Sequence, residues 1–96
     1  MFKITEGRGF HITFANGYTA SVQWGPGNYC NNYGGSFAHM QEAGENGSAT
    51  ADIAAWKGNS DMLPLPEPFS DYGDTVAGWQ SPEQVLAFLT WVSSLP

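Results

Sequence analysis

The chain lacks most of what ordinarily announces a chemical function. It has a single cysteine, Cys30, so no internal disulfide can form, and that fits a reducing compartment. Only three residues are basic, Lys3, Arg8 and Lys57, against nine acids. A net charge of −6 disfavours direct binding to nucleic acid or to an anionic membrane. No apolar run approaches the ~18 residues of a membrane span. The opening "MFKITEGRGF" lacks the basic head and apolar stretch of a secretion signal. These absences predict a cytoplasmic protein. Asn46-Gly47-Ser48 has the glycosylation pattern, but without a secretion signal it reads as a turn.

Catalytic and metal motifs are missing as well. Besides three methionines, the soft or borderline metal ligands are His11, Cys30 and His39, and their spacing matches no zinc motif. There is no CxxC and no HExxH. Cys30 as a nucleophile would need a histidine to activate it and donors for an oxyanion, and no catalytic signature surrounds it. Asp61, Glu67, Asp71 and Asp74 lie close together, but in a turn and a proline-rich stretch where acids are usually just solvated. "DYGDT" sets its acids at the wrong offsets for a calcium loop. "GPGNYCNNYGG" lacks the GK[ST] ending of a phosphate-binding loop. No catalytic residue and no cofactor is assigned. A small-ligand or metal site around Cys30, His11 and His39, with enzymatic activity, stands as the alternative reading.

What the chain does contain is enough for one core. Its 96 residues, 42% hydrophobic, make a single domain spanning 1–96. The clearest element is "GFHITFANGYTASVQW", two alternating runs around Asn16-Gly17. A two-residue turn would split the apolar residues between both faces. A three-residue loop, Ala15-Asn16-Gly17, pairs Phe14 with Tyr18, Ile12 with Ala20 and Phe10 with Val22, and Trp24 continues the same side. One slip in register moves every side chain to the other face, so the second arrangement is expected, with Gly17 left-handed. The opposite face then carries His11, Thr13, Thr19, Ser21 and Gln23.

The second clear element is the helix "SPEQVLAFLTWVSSL". Ser81 is placed to cap it, Pro82 suits its first position, and Gln84 completes a capping box. Val85, Phe88, Leu89, Val92 and Leu95 form a stripe at helical spacing, flanked by Leu86 and Trp91. Between these elements "ATADIAAWK" reads as a strand, and "DMLPLPEP" as its edge-strand partner with Pro64, Pro66 and Pro68 outward. "FSDYGDTVAG" reads as a loop with a short strand near Thr75 to Ala77. The fold expected is α+β: an antiparallel sheet of about four strands, from two hairpins, with one C-terminal helix packed on one face.

Aromatic residues make up 15% of the chain, more than one small core readily buries. Tyr29, Tyr33, Phe37, Phe69, Tyr72 and Trp79 fall in loop-like segments. Tyrosines beside glycine and asparagine offer rigid contact area with adaptable hydrogen bonding; the plainer role is to plug the ends of the sheet. From Gly58 onward there are five acids and no basic residue, a half of the chain suited to a basic partner. The interaction candidates are therefore Tyr29, Cys30, Asn31, Asn32, Tyr33, Asp71, Tyr72 and Asp74. They would face a protein partner with a basic or apolar surface.

Residues 9–30, "GFHITFANGYTASVQWGPGNYC", resemble a block in short uncharacterised proteins of bacteria and their phages. Residues 78–95, "GWQSPEQVLAFLTWVSSL", look similar to the closing helix of the same proteins. The resemblance implies a small self-contained bacterial or phage protein and transfers no site. Joined to the small size and the acidity, it suggests an inhibitor of a host protein, such as one of a defence system.

Overall fold

The computed structural model describes residues 1–5, 9–25, 30 and 47–96. Its strands are β1 (Phe2–Ile4), β2 (Gly9–Thr13), β3 (Tyr18–Gln23), β4 (Ala51–Lys57) and β5 (Ala77–Gln80), followed by the helix α1 (Pro82–Ser93). The five strands form one antiparallel sheet in the order β1-β2-β3-β4-β5. The fold is α+β, with the C-terminal helix on one side of the sheet. Among the described residues no helix is long and apolar enough to cross a membrane.

The β2–β3 hairpin has the register that the apolar pattern requires. Phe10 lies opposite Val22 and Ile12 opposite Ala20, while the Phe14 N–H donates to the Tyr18 carbonyl at 2.9 Å. Gly17 takes φ +88°, the left-handed geometry that a side chain would oppose. β4 extends the same rows, with Ile53 beside Val22 and Ala55 beside Ala20. The core is built on this face from Ala20, Val22, Ile53, Ala55, Leu65, Phe88 and Val92.

α1 starts as its sequence directs. The Ser81 hydroxyl accepts from the Gln84 N–H at 3.2 Å, and the Gln84 side-chain oxygen accepts from the Ser81 N–H at 2.7 Å. Phe88 and Val92 are wholly buried, Val85 and Leu89 partly, and Leu86 faces solvent. The helix rests on β3, β4 and β5. Phe69 meets Phe88 edge to face at 5.7 Å between ring centres, closing the core from the loop side.

Two details differ from the expected strands. Among the described residues the sheet has five strands rather than about four, because the three residues of β1 are too few for an alternating pattern to register. "DMLPLPEP" is not a strand. Its prolines donate nothing, and the Leu63 and Leu65 N–H groups go to different segments, the Ala55 carbonyl of β4 at 2.8 Å and the Asp74 carbonyl of the following loop at 2.8 Å. No ladder can form from two diverging bonds. The alternation itself survives: Pro64, Pro66 and Pro68 are exposed and Leu65 is buried. β5, at Ala77–Gln80, takes the place beside β4.

Candidate functional site

The acidic turn after Phe69 is held from below by one buried hydroxyl. Ser70 Oγ accepts from the Tyr72 N–H at 3.4 Å and from the Asp74 N–H at 3.0 Å. It also donates to Asp74 Oδ2 at 3.3 Å. The Asp74 carbonyl takes the Leu65 N–H, and Phe69 beneath is locked against Phe88 and Trp91. Gly73 supplies the left-handed residue of the turn, at φ +69°. The consequence is a fixed platform with Tyr72 projecting from it, 91% exposed, between exposed Asp71 and Asp74. Beside it opens a polar hollow of about 230 Å³ reaching to Gly78.

Trp79 adds a second exposed ring in the same half of the chain. It sits at φ +51°, a strained conformation for a bulky residue, where the β4–β5 pairing is irregular between Ala51 and Ile53. The distortion turns a strand position into an outward-facing one. Nothing in the periodicity of "VAGWQ" would reveal this.

Cys30 is placed inside the protein, 1% exposed. The Gly25 N–H donates to its sulfur at 3.3 Å, and its S–H points to the Gly25 carbonyl at 3.5 Å. It acts as a clasp on the chain leaving β3, not as a surface contact. His11 stands on the polar face of β2, opposite Ser21 on β3 and Lys3 on β1. Its ring meets Trp56 of β4 edge to face at 5.1 Å, so the two rings join above β3 and leave Ser21 only 7% exposed. Burial, and then the positive charge of Lys3, lower the His11 pKa from its ordinary value. Among the described residues no three histidine, cysteine or acidic side chains come together as a metal site. Tyr29, Asn31, Asn32, Tyr33 and His39 lie outside the described residues.

One feature escaped the sequence altogether. An apolar hollow of about 240 Å³ lies between the end of β3 and the start of α1, lined by Val22, Trp24, Ala51, Pro82 and Val85. Gln80 borders it; its Nε2 donates to the Gly78 carbonyl at 3.0 Å, while its Oε1 is buried with no hydrogen-bond partner. That oxygen has almost no accessible surface, so nothing in the hollow reaches it without a turn of the side chain. The lining residues are scattered from 22 to 85, and no local motif could announce them. No family model matches the chain, and no curated protein or solved structure matches it.

Proposed function

We propose that the chain is a non-enzymatic protein-interaction domain whose Asp71-Tyr72-Asp74 platform docks on a basic patch of a partner protein. The observation that carries this reading is Tyr72 itself, almost fully exposed on a turn already fixed by Ser70. Exposed tyrosines are favoured anchors at interfaces because they cover much area with few rotatable bonds. A turn ordered before contact also loses little freedom on binding. Asp61, Glu67, Asp71 and Asp74 are all exposed, and no basic residue follows Lys57, so this half attracts cationic surfaces at a distance. We take a host protein, including one of a defence system, as the first partner to seek, a choice that rests on the resemblance read from the sequence of residues 9–30 and 78–95 alone.

The test is affinity capture from a bacterial lysate with the wild-type chain and with Tyr72→Ala and Asp71→Asn variants. The expected result is one stoichiometric protein, held less tightly as salt rises and lost with Tyr72→Ala. Undiminished capture by the Tyr72→Ala variant sinks the assignment of this platform.

A further inference from the structure

The other end of the sheet carries a surface of different chemistry. Met1 and Thr13 exchange both backbone hydrogen bonds at 2.8 Å, and the Thr5 N–H donates to the Gly9 carbonyl at 3.2 Å. In an antiparallel ladder such bonded pairs alternate with unbonded ones. Met1, Lys3 and Thr5 therefore face β2, and the N–H and C=O groups of Phe2 and Ile4 point away from it, along an edge of the sheet that no other strand covers among the described residues. The same two residues expose their side chains, Phe2 by 77% and Ile4 by 79%. Both lie on the apolar face, next to Ile12 and Phe10, beyond the strands that α1 covers. An open edge with apolar side chains is a template for a further strand.

Between them Lys3 points to the opposite face, beside His11. Its charge decides what the edge accepts. A second copy paired about a two-fold axis, so as to engage both Phe2 and Ile4, would set Lys3 directly against the other Lys3. Like charges in that position destabilise a pair of strands. An acidic residue there forms a cross-strand ion pair instead.

We infer that β1 is a docking edge for an extended segment of another protein, reading apolar–acidic–apolar, which adds antiparallel as a sixth strand. Its backbone bonds to Phe2 and Ile4, its acidic side chain lies opposite Lys3, and its apolar side chains extend the row of Phe2 and Ile4. This surface shares no residue with the Tyr72 platform, so each is tested without the other.

The experiment is fluorescence anisotropy with a labelled synthetic peptide of alternating valine and threonine carrying one central glutamate, and a twin carrying lysine. Wild type should prefer the glutamate peptide by about tenfold. Lys3→Glu should invert that preference. Ile4→Pro removes one outward N–H while keeping an edge-compatible backbone, and should weaken binding by about tenfold or more with unchanged circular dichroism. Absence of binding, equal affinity for the two peptides, or full binding by the correctly folded Ile4→Pro variant would overturn the inference. So would a wild-type dimer in sedimentation that Ile4→Pro dissolves, since the occupant would then be a second copy.

Discussion

The side-chain amide of Asn16 donates to the Val92 carbonyl at 2.9 Å, joining the β2–β3 turn to the last turn of α1. The same nitrogen donates to the Leu95 carbonyl at 3.0 Å, and the side-chain oxygen accepts from the Tyr18 N–H at 3.1 Å. One residue thus closes the hairpin and caps the far end of the helix. It also explains why the turn needs Asn16 for more than its turn-forming habit: aspartate would shape the turn but has no N–H to give.

Asn16→Ala should accordingly cost about 2 kcal/mol, at roughly 0.5–1.5 per lost bond. Asn16→Asp should cost at least as much, because it keeps the bond from Tyr18 but brings a negative charge to carbonyl oxygens at the helix end. Urea denaturation measures both. A milder loss for aspartate than for alanine would contradict the capping role.

Gly9 gives a sharper steric case. It holds φ +149°, and a Cβ there would lie 2.0 Å from the Val22 carbonyl oxygen. Since that contact is backbone, the strands would have to part. Gly9→Ala should lose at least about 2 kcal/mol. Gly47→Ala, where a Cβ meets nothing within 4 Å, should stay within about 0.5 kcal/mol of wild type. Comparable midpoints for the two variants would show that the sheet absorbs the clash.

The central sheet and the helix were legible because their signals are periodic and local. Val22 and Ile12 had one register in which the oily residues shared a face, and Ser81 and Gln84 sat three residues apart before an apolar stripe. What the pattern missed depends on long-range pairing. β1 is ordered by bonds from Met1 to Thr13, and Leu63 and Leu65 are drawn to different acceptors that lie apart in sequence. The candidate site divides the same way. Asp71, Tyr72 and Asp74 were visible as an acidic, aromatic turn, but the buried hydroxyl of Ser70 that stiffens it was not. Cys30 looked like part of a surface loop, and its burial against Gly25 leaves no trace in composition.

The capping box predicts a coupled pair of substitutions. Ser81→Ala should cost about 1 kcal/mol, the usual value for a lost N-cap hydroxyl. Gln84→Ala removes the reciprocal bond, which is exposed, and should cost less. Because each side chain holds the other's backbone, the double variant should lose less than the two single losses combined. Strict additivity in chemical denaturation would mean that the two bonds act independently.

His11 predicts how the fold responds to mild acid. Its pKa is lowered in the folded chain, first by burial and then by Lys3, so the folded state resists the proton that the unfolded chain accepts. The unfolded chain therefore binds more protons in this range, and stability rises with pH there. The contribution is fully present above about 6.5, the ordinary histidine value, and is lost as pH falls from there through the lower folded value. Wild type should show a falling melting temperature between about pH 7.5 and 5.5, above the main carboxylate range. His11→Phe keeps a ring against Trp56 but takes up no proton, so its melting temperature should fall less over the same interval. His39 is common to both proteins and drops out of the comparison. Lys3→Ala should soften the loss in wild type, since it removes the second cause of the shift. Parallel pH profiles for wild type and His11→Phe would mean that the proton is taken up elsewhere.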